Sequence, residues 1–241
     1  MSEKIKNRTR QLLIDLYSKK GKDFFLEVAE YMLSERGTSP TIRGELCEVV
    51  LEVLLMDYIK THPDMCSTWI ITKGMILMDL DNKTDYKTEL DLVLSTPKRL
   101  YVFECKSYSG KKTLTDKGTL NTMKGNKISH SFDVYSQHEK HYALLFRTLS
   151  PFLLDNVKID KPYQILLFTF DSGSIQDLRT KEYRSLFSWK TKDNLYKLFN
   201  NYKELPDQWD MPYVKEALDK IVKNQKKLTK HHRDYVTNLH H

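Results

Sequence analysis

Two short β-rich runs joined by a turn constrain the fold more than any other feature of this sequence. The first run is Thr88–Leu94 and the second is Leu100–Lys106, and five residues around Pro97 separate them. Apolar and β-branched residues on both sides of a proline-containing turn predict a β-hairpin. A four-residue loop sets the register of such a hairpin, and this register places Asp91 opposite Glu104.

Side chains along a strand point to alternate faces of the sheet. On the second strand, one face carries an apolar set that can pack into a core: Tyr101, Phe103 and Cys105. The other face carries Glu104 and Lys106 beside Val102. On the first strand we expect Asp91 to lie on the face opposite to three leucines: Leu90, Leu92 and Leu94.

The opposed carboxylates of Asp91 and Glu104 need a physical explanation. Directly opposed residues have Cβ atoms about 4.5–5.5 Å apart, and like charges at that distance are destabilising. Lys106 supplies one cation, and a divalent metal that bridges both carboxylates explains the pair more fully, since Mg²⁺ binds carboxylate oxygens. Such a metal activates water and stabilises charge on a phosphate. The alternative is a solvated Glu-x-Lys pair, which occurs by chance in many proteins.

A helix predicted over about Ile42–Ile59 carries further carboxylates. Glu45, Glu48 and Glu52 share one face because they are spaced three and four residues apart. Glu48 lies at the edge of the leucine stripe and we expect it near the core, with Glu45 and Glu52 in solvent. An ordinary amphipathic helix with a polar face explains the same pattern.

The remaining segments complete an α/β pattern. The apolar spacing predicts helices over 3–35, interrupted at Gly21, and over about 134–149, with further helices from about 193. Strands are expected over 69–78 and 163–170, and the second of these has the continuous apolar character of a strand covered on both faces. Residues 107–130 are polar and lysine-rich and predict a long loop or an insertion. This order of elements favours a mixed sheet flanked by helices.

Three motifs together resemble the PD-(D/E)xK nuclease superfamily, and within it the nuclease-related domain (NERD) family. They are Gly44-x-x-x-Glu48 on the helix, Glu89–Leu94 on the first strand, and Val102–Gly110 from the second strand onward. The resemblance implies a restriction-endonuclease-like α/β core, a central mixed β-sheet flanked by helices. We expect this core at residues 41–190, with a helical N-terminal extension at 1–40 and a basic helical C-terminal extension at 191–241.

The resemblance also implies roles for single residues. Asp91, Glu104 and Glu48 would bind Mg²⁺, with Mn²⁺ as a substitute, and Lys106 would be the catalytic lysine beside the attacking water. Gln137 would orient a group or contact phosphate. Two departures concern neighbouring positions: Leu90 stands where the superfamily has the proline of its name, and Glu45 remains an alternative to Glu48.

The positive charge of the chain is concentrated in two segments. The formal net charge is +7, and residues 111–130 and 213–241 carry most of the excess. The first segment follows the Lys106 strand, and we expect it to contact phosphates and to make binding depend on salt. Its lysines are Lys111, Lys112, Lys117, Lys124 and Lys127. The tail segment either contacts phosphates as well or forms a solvated helix.

The sequence thus predicts a metal-dependent endonuclease that hydrolyses DNA. The alternatives are a structure-selective, junction-resolvase-like nuclease and a catalytically idle nucleic-acid-binding module. Three cysteines without a CxxC motif, an N-terminus without an apolar core and the lack of a long apolar run favour a cytoplasmic protein without membrane partners. A homodimer is compatible with the sequence. His138 and His141 lack a third metal ligand nearby in sequence, so we expect them at the surface or behind the site.

Overall fold

The computed structural model describes residues 3–34, 38–78, 87–108, 110–154, 163–170 and 175–223. The chain begins with four helices: α1 (Glu3–Lys20), α2 (Lys22–Ser34), α3 (Pro40–Thr61) and the short α4 (Pro63–Cys66). Gly21, at φ +84°, separates α1 from α2 as the sequence predicts. The Ser39 side chain accepts a hydrogen bond from the Ile42 N–H, and Pro40 begins α3, so two sequence signals fix where this helix starts.

The strands and the later helices include the predicted ones and several that the sequence did not predict. The strands are β1 (Ile70–Met78), β2 (Lys87–Ser95), β3 (Leu100–Cys105), β4 (Lys111–Leu114), β5 (Thr119–Lys124), β6 (Lys127–Asp133), β7 (Tyr163–Phe168), β8 (Ile175–Asp177) and β9 (Ser188–Lys190). The later helices are α5 (Val134–Leu149), α6 (Lys181–Leu186) and α7 at 211–223, with 3₁₀ turns at Ser150–Phe152, Leu195–Phe199 and Tyr202–Glu204.

A five-stranded mixed sheet in the order β1-β2-β3-β7-β9 forms the centre of the protein. Strand β2 pairs antiparallel with β1 and with β3. Strand β7 pairs parallel with β3 and with β9. The predicted fold class, a mixed sheet flanked by helices, is confirmed. The carboxyl ends of β3, β7 and β9 meet at one edge, where ligands bind in open α/β sheets.

Residues 107–130 do not form the predicted loop. They supply β4, β5 and part of β6, which join β8 in a second sheet of order β6-β5-β4-β8. Two signals in the sequence could have indicated this hairpin. Leu120 and Thr122 alternate with more exposed residues, and Gly125-Asn126 forms the two-residue turn that pairs Lys124 with Lys127.

Helices cover both faces of the central sheet. Helix α3, backed by α1 and α2, packs on the face that carries Leu92, Tyr101 and Phe103. Helices α5 and α7 pack on the opposite face, against Val93 and Val102. Strand β7 contributes side chains to clusters on both of its faces, as its continuous apolar sequence predicts. The result is a three-layer arrangement in which the hairpin strands are buried.

None of the helices within the described residues is long and apolar enough to cross a bilayer.

Candidate active site

The hairpin of β2 and β3 has the register that the sequence predicts. Ser95 pairs with Leu100 and Leu94 with Tyr101 around a turn closed by hydrogen bonds from the Thr96 N–H and hydroxyl to the Arg99 carbonyl, 3.2 and 2.8 Å long. Backbone pairing continues to Leu92 and Phe103 and stops one residue before Asp91 and Glu104. The two carboxylates therefore lie where the strands begin to separate.

The ladder between β1 and β2 is interrupted at the same level. Lys73 pairs with Leu92 and Met75 with Leu90, whereas Gly74, at φ +54°, and Asp91 between them do not pair. Both strands change face at this point. The prediction that Leu90 shares a face with Leu92 and Leu94 is therefore wrong, because Leu90 packs in the cluster of α5 and α7 while the other two pack against α3.

Asp91 uses the gap that this irregularity opens. Its Oδ2 accepts a hydrogen bond of 2.7 Å from the Cys105 N–H on β3, so the side chain takes the place of a backbone partner. Burial raises the pKa of Asp91 well above its usual range, and the charges of Glu104 and Glu48 raise it further. Two other carboxylates thus act on Asp91 at this point.

Glu104 lies on the opposite side of the sheet from α3 and is 2% exposed. Its Oε1 accepts hydrogen bonds from the Lys106 ammonium and from the Gln137 Nε2, the second at 3.5 Å. Gln137 on α5 therefore points back at the site, where the resemblance places it. Burial raises the pKa of Glu104, and the charge of Lys106 only partly offsets this.

Lys106 is the cation of the site. Burial opposes its charge, but the Glu104 carboxylate and the hydrogen bond between them outweigh burial and raise the pKa of Lys106. Its Nζ also lies 4.3 Å from the centre of the Phe132 ring on β6. Lys106 is therefore an ammonium at neutral pH.

Glu48 approaches from α3 and is held by a residue that the sequence did not indicate. The Arg10 guanidinium on α1 lies 3.5 Å from a Glu48 oxygen and also binds Glu52, which in turn binds Lys73 on β1. Glu52 is 7% exposed, so the expectation that it lies in solvent is wrong. Arg10 is 38 residues from Glu48, and no local pattern could have linked them.

Two buried histidines of α5 lie behind Glu104. The His141 Nδ1 is 3.9 Å from the Glu104 Oε2, and the rings of His138 and His141 are 6.0 Å apart. Neither ring nitrogen of His138 has a hydrogen-bond partner among the described residues. Burial lowers the pKa of His138 to about 3 and that of His141 to about 4, so both are neutral at physiological pH.

The lysines predicted to contact nucleic acid do not form one patch. Lys111, Lys124 and Lys127 are exposed at the end of the second sheet where β4 begins, close in sequence to Lys106. Lys117 is exposed in the turn at the opposite end. Lys112 is 2% exposed and points inward. The tail after residue 223 lies outside the described residues.

The donor chemistry of this site fits Mg²⁺. Asp91 and Glu104 offer hard carboxylate oxygens, and Mg²⁺ commonly takes one or two carboxylates and completes its shell with water and substrate phosphates. Within the described ranges, no group of three or more His, Cys, Asp or Glu side chains is placed to hold a metal ion. The fit therefore rests on two carboxylates, with Glu48 turned toward Arg10.

Residues 50–169 match the family model described as nuclease-related domain. This part of the chain is similar to the nuclease-related domain family. The match confirms the resemblance that the hairpin and helix motifs indicated. It covers β1 to β7, and its first residue falls within α3.

The chain is also similar to a solved structure, the crystal structure of protein VC1899 from Vibrio cholerae. The two are 16% identical, with a TM-score of 0.38 over 68% of this chain and 34% of the other. The chain thus spans about a third of that protein. No curated protein matches the sequence.

Proposed function

We propose that this protein is a metal-dependent nuclease that hydrolyses phosphodiester bonds of DNA, acting as an endonuclease. The observation that carries the proposal is the convergence of Asp91, Glu104 and Lys106 at one point of the central sheet. Burial raises the pKa of both carboxylates, and the charge of Glu104 raises that of Asp91 further; such perturbed groups are typical of functional sites. The family match supports a nuclease-related function.

Asp91 and Glu104 would hold the Mg²⁺ ion, which when bound supplies an activated water and stabilises negative charge on phosphorus. The chain itself fixes the carboxylates. The Cys105 N–H orients Asp91, and Gln137 orients Glu104 from α5. The buried surroundings strengthen each of these electrostatic contacts, because little water screens them.

Lys106 acts in this proposal as a cation, not as a base. Its raised pKa keeps the proton on Nζ, which can donate a hydrogen bond to a phosphate oxygen or to the attacking water. Lys106 directly follows β3, and its N–H donates to the Phe168 carbonyl on β7 at 2.9 Å. The backbone on which the ammonium is carried is therefore anchored to the sheet.

The exposed lysines at the near end of the second sheet favour a polyanionic substrate. Lys111, Lys124 and Lys127 share the end of that sheet where the chain leaves β3. Phosphate contacts by such lysines would contribute affinity without sequence preference.

The test is cleavage of supercoiled plasmid and of linear DNA by the purified chain with Mg²⁺, with Mn²⁺ and with EDTA. We expect nicking with either metal and none with EDTA. Asp91→Asn should abolish nicking, whereas Asp116→Asn, a matched change in the exposed turn between β4 and β5, should leave it intact. Equal activity of wild type and Asp91→Asn would refute the proposal. DNA binding without cleavage by wild type would favour the idle binding module.

A further inference from the structure

A cavity of about 460 Å³ lies beside Lys106, on the side of the site that the carboxylates do not occupy. Its size is within the range of small-molecule sites. The segments that follow three parallel strands supply part of its wall: Lys106 after β3, Thr169 and Phe170 after β7, and Lys192 and Asp193 after β9. We call this cavity the carboxyl-end pocket.

The carboxyl-end pocket contains more positive than negative groups. Four cations line it, Arg43, Lys106, Lys112 and Lys192, against two carboxylates, Glu30 and Asp193. Lysine and arginine side chains gathered in a concave, partly desolvated wall attract anions more strongly than the same charges on a flat surface.

The placement of Lys112 distinguishes this pocket from a random cluster of surface charge. Lys112 is 2% exposed although it belongs to β4, whose neighbouring Lys111 is exposed. Its side chain lines the carboxyl-end pocket, so an anion there would contact a cation that solvent does not screen.

The other cations are fixed by the fold. Arg43 donates from its guanidinium to the Leu33 carbonyl, which joins α3 to α2 at the rim. Lys192 pairs with Glu30 at 3.1 Å, and its Nζ lies 5.1 Å from the centre of the Phe170 ring. A guanidinium and an ammonium keep further N–H donors beyond these contacts.

Aromatic rings complete the wall. Tyr108 and Phe170 line the same cavity. Aromatic faces stack on nucleobases regardless of the base, whereas cations bind the phosphate. The combination fits a nucleotide better than a free inorganic anion.

We propose that the carboxyl-end pocket binds one nucleotide of the substrate strand, with its phosphate against Lys112 and Lys192 and its base on the aromatic wall. This inference rests on the proposed nuclease function, because it places the nucleotide next to the phosphate that is cleaved beside Lys106. It gives the protein a subsite for a single nucleotide beside Lys106.

The test is titration of the full chain in EDTA with thymidine 5′-monophosphate and, separately, with thymidine, followed by calorimetry. We expect the nucleotide to bind and the nucleoside to bind at least about tenfold more weakly, because charge-assisted hydrogen bonds to the phosphate are lost. Lys112→Gln and Lys192→Gln should each weaken nucleotide binding about three- to tenfold. Lys192 is partly exposed, so its variant remains informative if the buried Lys112→Gln fails to fold.

Lys60→Gln is the matched control, because Lys60 is exposed in the last turn of α3, at the end of the helix opposite Arg43. It should leave nucleotide binding unchanged. No binding of the nucleotide, equal binding of the nucleoside, or equal affinity in wild type and Lys192→Gln would each overturn the proposal. Asp91→Asn separates the two hypotheses. If this variant binds the nucleotide and cleaves as well as wild type, the proposed active site at Asp91 is refuted, whereas the carboxyl-end pocket remains supported.

Discussion

Two glutamates are buried beside the central sheet, and their surroundings are opposite. Glu52 on α3 is 7% exposed and binds two cations, Arg10 and Lys73. Glu104 on β3 is 2% exposed, binds one cation, Lys106, and acts on a second carboxylate, Asp91.

The difference distinguishes a carboxylate compensated within the fold from one that the protein alone compensates only in part. A buried carboxylate with two cations is compensated, and its removal leaves cations without a partner. A buried carboxylate that shares one cation with a like charge is under-compensated in the protein alone. An additional cation would relieve that repulsion, which is why we assign the metal to Glu104 and Asp91 and a stabilising role to Glu52.

The largest effect is expected for Glu104→Gln. The variant should lose cleavage by about 100-fold or more, because the proposed metal ligand and the partner of Lys106 are removed. Its free energy of unfolding should fall less than that of Glu52→Gln, since relief of the repulsion with Asp91 offsets the loss of the Lys106 partner. Plasmid nicking and urea unfolding measure the two quantities. A stable variant with full activity would eliminate Glu104 from the site.

Glu52→Gln should have the reverse effect. We expect a loss of about 2–3 kcal/mol in the free energy of unfolding, below the usual cost for a buried pair because Lys73 is 43% exposed and Arg10 retains Glu48. Cleavage should stay within a few-fold of wild type. Loss of nicking with unchanged urea unfolding would place Glu52 in the active site and contradict the distinction drawn between Glu52 and Glu104.

His138 provides a case of burial without compensation. Its pKa in the folded protein is about 3, below the ordinary value near 6.5, so between these values the unfolded chain binds the additional proton. Stability should therefore fall as pH is lowered from about 6.5, by up to about 1.4 kcal/mol per pH unit. His138→Leu should flatten this dependence in urea unfolding followed from pH 7 to pH 4.

The control is His130→Gln, since His130 is exposed on β6 and stacks on Tyr108. It should leave the pH dependence of stability unchanged. An identical slope in wild type and His138→Leu would mean that other groups cause the acid destabilisation.

The smallest effect concerns the second sheet. Lys127→Gln, near the site, should weaken DNA binding a few-fold and reduce the slope of log affinity against log salt by about 1, if it contacts one phosphate. Lys117→Gln, at the far end of the same sheet, should change neither. Fluorescence anisotropy with labelled DNA at several salt concentrations checks both. Equal effects of the two changes would indicate that the overall positive charge attracts DNA and that DNA is not bound at one end of the second sheet.

Local patterns were sufficient for the hairpin and for most helices. The turn around Pro97 fixed the register, and apolar spacing fixed α5, because neighbouring residues alone determine these features. The change of face at Leu90 was not predictable from its own strand, since it coincides with the unpaired Gly74 on the neighbouring strand β1.

The contacts that complete the site depend on distant parts of the chain. Arg10 meets Glu48 and Glu52 only because α1 packs on α3, and His141 meets Glu104 only because α5 covers the sheet. The spacing of residues in the sequence does not predict contacts between such distant elements. The second sheet is hard to predict for a different reason, since its strands are polar and rich in charge, which is typical of loops. Gly125 and the alternation around Leu120 are the signals that indicate a hairpin there.

The family match begins inside helix α3, which affects where the chain can be cut into fragments. Residue 50 lies in the middle of α3, so a fragment cut at that border would begin with half a helix and lose α1 and α2. It would also lose Arg43 of the carboxyl-end pocket and the Arg10 partner of Glu52, and would uncover the apolar side chains of Leu92 and Phe103. The matched stretch is thus shorter than the set of residues that packs around the candidate site, since Arg10 and Glu48 lie outside it.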